Sequence, residues 1–360
     1  MRRIPGFLFI TTLLSFLTLE GCSKKSSGSD STSGSTSGQY IYVASGNTFA
    51  GTGITMSAAS NTIVKYTTSG DFVQIIRDYS DSNSYAGDTP VGIIDYDESS
   101  ILVAVENATT VSYRRIERVA KDGSFVSLYL LNAAAFNAAN MVLKDLIFAG
   151  DGGLLVSKGI ASANAVIEKF NSNKTRLTIS GNAYVRAPGG SCATAQTQFA
   201  RVAVGPSDII VGAHAAASPN NKIVLISSNG YTTAADCLAA VAGPDANHIP
   251  TSLLYHSSGK LLVGYGSSTG PVHDIYSYDI TNASISNAIQ AYNNSAVLQG
   301  VSVLAEGPDG AVYVGASSSS FNTIEKFTFD STTGTLTRSG STTLIGPSIY
   351  TRSIAGILVP

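Results

Sequence analysis

Residues 353–360 read SIAGILVP, an apolar strand that ends the chain with no neighbour beside it in sequence. The partner it implies decides the fold. Near the other end, residues 40–45 read YIYVAS, and that strand recurs as ILVAVE, LLVSKG, IIVGAH, LLVGYG and VYVGAS. Its marker is Val43, Val103, Val156, Val211, Val263 and Val314, at spacings of 60, 53, 55, 52 and 51. Such a period is the signature of a repeat architecture.

A second pattern follows each of these strands: NTIVKY, RRIERV, AVIEKF, NKIVLI, HDIYSY and NTIEKF. Its third place is always Ile, at 63, 116, 167, 223, 275 and 324. Three residues later stands Tyr66, Val119, Phe170, Ile226, Tyr278 or Phe327. Positions three apart in a strand point to opposite faces. Each strand is therefore apolar on both faces, as a sheet packed between two others requires. Turn signals such as TSGD, KDGS and STTG come next, then a less regular fourth strand. Before each marker Val lies one more apolar strand, GIIDYD, DLIFAG, RVAVGP, SLLYHS or SVLAEG. Four strands in about 50 residues make a β-propeller blade. The first unit lacks its inner strand, and SIAGILVP matches it, with Pro360 falling 52 residues after Pro308. The expectation is all-β: a six-bladed β-propeller over residues 39–360, with one blade spliced from both chain ends and no open edge left between them. A seven-bladed ring with one degenerate blade and an open sandwich array are the alternatives.

The turn and strand GPDGAVYVG at 307–315 resemble the repeat of six-bladed propellers of the NHL and gluconolactonase-like kind. That resemblance implies the architecture. In the lactonase-like enzymes it also implies a calcium held by Glu and Asn side chains on inner strands. Here those strands offer mostly Ile, Leu, Val and Ala, with Asp95 and Glu306 near their far ends, so the ligands do not carry over. GSSTG at 266–270 has the Gly-x-Ser-x-Gly spacing but joins two strands of one repeat rather than a strand to a helix, so it makes no nucleophile elbow. AGDGG at 149–153 joins two strands rather than opening a helix, so it lacks the helix N-terminus that binds phosphate.

Charged residues are 13% of the chain and the net charge is −2. Nucleic-acid binding needs clustered Lys and Arg, which are missing. Arg2 and Arg3 precede an apolar run at 4–19 that is too short and too broken by Pro5 and Gly6 for a membrane span. It reads as an export signal, residues 1–21. LEGC at 19–22 resembles the bacterial lipobox, apart from Glu20. That resemblance implies an acylated Cys22, and Ser23 after it implies transport to the outer membrane. Ordinary signal cleavage, leaving Cys22 a spare thiol, is the alternative. Residues 22–38 are then a lipidated Cys and a Ser/Gly tether with a reach of about 20–25 Å.

Cys192 and Cys237 remain, an even pair in an exported chain, and read as a disulfide, with two buried thiols as the alternative. Propeller ligands commonly meet the face where inner strands begin. The first positions there are Gly92, Asp145, Arg201, Ser252, Ser302 and Ser353. Asp145 and Arg201, on adjacent blades, suit either a polar ligand or a structural ion pair. His214, His248 and His273 fall on the same face, near Asp245 and Asp274, while His256 lies in a turn of the opposite face. Three imidazoles could hold a divalent metal, though no close ligand spacing supports it and no cofactor is expected. The loop after Val43 is long: SGNTFAGTGITMSAAS, 45–60, is either a recognition insertion or a tolerated one.

The leading expectation is a lipid-anchored binding or scaffold protein of a bacterial envelope, facing periplasm or cell surface, with a protein or glycan partner. A metal-dependent hydrolase or lactonase, and an adhesin or fibre-associated protein, are the rivals.

Overall fold

The computed structural model describes residues 39–46, 59–81, 84–107, 109–131, 133–136, 141–160, 166–186, 192, 199–214, 221–266, 272–317 and 322–360. The signal, Cys22, the tether and most of the 45–60 insertion lie outside them. The described strands form six antiparallel sheets. From the axis outward, blade one is Ile354–Leu358, Tyr40–Ser45, Thr62–Thr67 and Phe72–Asp78. Blade two is Asp88–Asp97, Ser100–Asn107, Arg115–Ala120 and Val126–Leu130. Blade three is Met141–Phe148, Leu154–Ile160 and Val166–Phe170, with its outer place shared by Arg176–Leu177 and Val185–Arg186. Blade four is Phe199–Val204, Ile210–His214, Lys222–Ile226 and Cys237–Ala242. Blade five is Ile249–Tyr255, Lys260–Gly266, Asp274–Ile280 and Ile285–Asn293. Blade six is Val301–Glu306, Val312–Ser317, Asn322–Asp330 and Thr335–Arg338. The expected splice is present: the last strand pairs with the first, Val43 opposite Ile357.

The core is six wedges, one between each pair of neighbouring blades. The marker Ile and the residue three beyond it fall in different wedges in every blade. Ile63 joins the wedge towards blade two and Tyr66 the wedge towards blade six; Ile324 and Phe327 divide likewise. The both-faces argument from sequence therefore holds at all six repeats.

One marker is out of register. In five blades the marker Val lies opposite the residue after the marker Ile, as with Val103 and Glu117 or Val314 and Glu325. In blade four Gly212 takes that place, opposite Val224, and Val211 is shifted by one. There Gly212 lies against Phe199: a Cβ on it would come within 2.3 Å of the ring.

Every inner strand carries a β-bulge at the same level. The unpaired residues are Ala355, Val91, Lys144, Ala200, Thr251 and Ser302 in blades one to six. A bulge bends the strand and releases one residue from the ladder, so each strand turns groups towards the axis.

Candidate functional site

The bulges define what sits on the axis. Of the six first positions expected from sequence, Gly92, Asp145, Arg201 and Ser252 directly follow a bulge, Ser302 is itself a bulge residue, and Ser353 precedes its strand by one. Asp145 and Arg201 do come together, Nη1 to Oδ1 3.4 Å. The guanidinium then reaches across. Nη2 donates to the bulge carbonyls of Ser302 (3.0 Å) and Ala355 (2.9 Å), and Nη1 to that of Val91 (3.5 Å). Asp145 Oδ2 accepts the Val202 N–H at 3.2 Å. One buried side chain from blade four thus joins blades one, two, three and six. Burial pushes the Asp145 carboxyl up, opposed by Arg201. It pulls the neighbouring Lys144 ammonium down to about 8, with Glu106 opposing. A channel of about 300 Å³ runs along the inner strands, walled by residues such as Ile93, Leu146, Leu253 and Ile357.

The carboxylates of that channel do not form the donor set that the lactonase resemblance implies. Asp145 is taken by Arg201. Asp95 pairs with Lys121 Nζ at 2.7 Å, and Glu306 accepts from the Ser257 N–H and hydroxyl.

The three histidines have separate surroundings. His214 is fully buried with its ring 4.5 Å from that of Phe199, and burial, helped by Lys222, pulls its pKa down to about 3. His248 bridges two carboxylates, Nε2 to Asp274 Oδ2 at 2.7 Å and Nδ1 to Asp245 Oδ1 at 2.8 Å. The Nδ1 contact has ion-pair distance without hydrogen-bond alignment. Asp274 Oδ1 also accepts from Gln290 Nε2 at 2.9 Å. His273 Nε2 lies 2.6 Å from Asn293 Oδ1. Among the described residues no group of three or more His, Cys, Asp or Glu is placed to share a cation. His256 contacts the Gly310 carbonyl and Ser258. Cys192 and Cys237 form the expected disulfide, Cα to Cα 5.8 Å.

Sequence reasoning missed the buried ion pairs of blades two, three and six. Glu117 binds Arg115 at 2.6 Å and Arg77 at 3.5 Å, and accepts from the Tyr79 hydroxyl; Arg115 also holds Asp88. Glu168 takes Lys158 and Arg176, and Glu325 takes Arg338. The signal was the Glu that follows the marker Ile in RRIERV, AVIEKF and NTIEKF.

Also unforeseen is a surface groove of about 870 Å³ between the outer strands of blades one and two. Ile75, Val126 and Leu128 line one part, Arg77, Arg115 and Glu117 another. Tyr85 and Tyr113 stack on each other nearby, ring centroids 3.8 Å apart. Gly123 against Ile76, and Gln74 Nε2 on the Asp122 carbonyl at 3.0 Å, join the two blades there.

No family model matches the chain, and no curated protein does. Solved structures do resemble it. A protein of unknown function from Bacteroides caccae is 14% identical, with a TM-score of 0.56 over 89% of this chain and 98% of that one. A Bacteroides fragilis protein provisionally named a 6-phosphogluconolactonase is 12% identical, with a TM-score of 0.52 over 86% of this chain and 83% of that one. At such identities the likeness concerns the fold alone, and by that fold the chain is a β-propeller, similar in architecture to lactonase-like propeller proteins.

Proposed function

We propose that this protein is a lipid-anchored binding or scaffold protein of a bacterial envelope, presenting its propeller to a protein or glycan partner. One observation carries the binding reading. The axial level at which the inner strands turn towards one another is occupied by Arg201, whose Nη donors are spent on protein carbonyls and on Asp145. The large groove lies instead on the outer rim and combines apolar walls with paired charges, the composition of a docking surface rather than of a reacting centre. The anchor rests on the lipobox-like LEGC at 19–22 and the polar tract after it.

The test is crosslinking in the native envelope, with identification of the captured species and its attachment point. A reproducible partner joined to the propeller supports the reading. Turnover of a sugar lactone by the purified protein, lost on changing Asp145 or His248, would overturn it in favour of a hydrolase. Labelled palmitate entering the wild-type chain but not Cys22→Ser supports the anchor.

A further inference from the structure

Eleven large apolar side chains stand exposed among the described residues, and ten of them fall between Phe72 and Leu131. That segment builds the groove between Phe72–Asp78 of blade one and Val126–Leu130 of blade two. Each of these strands is the last of its sheet, so one row of its main-chain N–H and C=O groups lacks a ladder partner among the described residues. Proteins ordinarily blunt such edges with charge or brevity. Blades three and six obey, blade five shows uncharged polar side chains instead, and blade four's Cys237–Ala242 is apolar but mostly half-buried. Arg176–Leu177 has two residues, and Thr335–Arg338 has four, mostly polar. Ile285–Asn293 exposes Ser286, Asn287 and Gln290, and Cys237–Ala242 starts at the disulfide. Blades one and two do the opposite, with Ile75 38%, Val126 42% and Leu128 56% exposed.

The charges of the groove are also one-sided. Its two cations are buried and engaged, Arg115 with Asp88 and Glu117, Arg77 with Glu117 and, at 3.5 Å, with Asp81. The carboxylates of its lining that reach solvent are Asp78 and Asp81, at the Tyr85 part. No other cation lines the groove among its described residues. A sugar needs polar groups with bonds to spare. Here the floor's charged groups are paired with one another, Arg115 with Glu117 and Arg77 with Glu117 and Asp81.

We propose, on the binding reading above, that the groove takes an extended peptide segment of a protein partner, added as a strand to the free edge of Val126–Leu130. Its alternate side chains are apolar and rest on Ile75, Val126 and Leu128. Its ends carry Lys or Arg opposite the acidic rim. Main-chain pairing supplies affinity in such strand addition, and alternate side chains supply specificity.

The experiment titrates the full chain in detergent with a fluorescent peptide of alternating valine and threonine flanked by lysines. The same peptide flanked by glutamates and a soluble dextran are the comparisons. The lysine peptide should bind at least about ten-fold more tightly than the glutamate peptide. Leu128→Arg should weaken it at least about ten-fold, and Asp78→Lys with Asp81→Lys should invert the preference. Leu128 is exposed, so Leu128→Arg should leave thermal unfolding unchanged; the paired Lys variant gives up the Asp81–Arg77 contact and the Asp78–Ser80 bonds, so a lower midpoint with a single folded transition is expected for it. Absent binding of the lysine peptide, or binding indifferent to Leu128→Arg, overturns the proposal. Dextran held by wild type and released by Leu128→Arg overturns the peptide while leaving the binding reading intact. Failure of every probe, together with no crosslinked partner in the envelope, removes both.

Discussion

Arg201 holds the axis because a guanidinium is planar, always charged and carries several fixed donors. Three bulge carbonyls and one carboxylate converge on it, and an ammonium could not serve that many directions at once. Arg201→Met should therefore cost up to about 3–5 kcal/mol, since it leaves the half-buried Asp145 carboxylate and three bulge carbonyls without their partner. Urea denaturation measures it. Adding Asp145→Asn should recover part of the loss, so the double variant costs less than the two single costs summed. His214 gives a second residue-scale outcome. With its folded pKa near 3 and an ordinary value of 6.5, the unfolded chain takes a proton between those limits that the native state refuses. The stability is complete above about pH 6.5 and is lost as pH falls towards 3, by up to about 1.4 kcal/mol per unit. His214→Gln should flatten the fall in urea stability between pH 6.5 and 4.5 relative to wild type. At this scale the sequence was partly legible. Asp145 and Arg201 could be placed on adjacent inner strands because the repeat numbers them. The far reach of Arg201 could not, because it depends on bulges at Ala355, Val91, Lys144, Ala200, Thr251 and Ser302, which share no chemistry that would mark them.

Within a blade, the turn after the inner strand is latched to the third strand. Asp97 holds Arg118, Asp151 holds Lys169, and Asp309 holds Lys326, each at 2.7–2.8 Å. The basic partner stands two residues after the marker Ile. Blade one keeps that residue, Lys65, but has no such turn, because its inner strand comes from the far end of the chain. Lys65 Nζ rests over the Tyr40 ring instead, 3.8 Å from its centroid, a cation–π contact in place of an ion pair. Blades four and five have Leu225 and Ser277 at this place and lack the latch altogether. Exposed latches of this kind contribute little. The disulfide contributes more. It joins Cys237, at the start of blade four's outer strand, to Cys192 in the segment before that blade, across 45 residues. Its loss, as Cys192→Ala with Cys237→Ala, should lower stability by about 4 kcal/mol in the chain-entropy account. Denaturation of the paired variant under non-reducing conditions checks this. Pairing was legible from the even count of Cys beyond residue 22. The groove was not, since VQIIRD and VSLYL carry the same residue types as buried strands, and only the packing of neighbouring blades shows which faces stay uncovered.

A propeller has no single core to nucleate or lose: each of its six wedges needs two blades, and the ring makes each blade the neighbour of two others. Period and face could be read from the chain because a strand between two sheets must be apolar at both parities, and that constraint survives wide variation in residue type. Closure could be read because an incomplete first unit and an orphan last strand each explain the other. Closure is also the point where the whole ring can be tested. Ile354–Leu358 supplies Ile354 and Ile357 to the wedge between blades six and one, Ala355 to the wedge between blades one and two, and the Ala355 carbonyl to Arg201. Removing residues 353–360 should therefore do more than shorten one sheet. It uncovers the edge of Tyr40–Ser45 with Ile41 and Val43 beside it, and exposed apolar edges pair between molecules. The truncated chain is expected to elute as oligomers on size exclusion and to unfold in a broadened transition. A synthetic peptide of residues 353–360, added in excess, should restore the monomer and the sharp transition by filling the vacant inner place. A truncated chain that stays monomeric with the wild-type midpoint would show that the ring holds without its clasp.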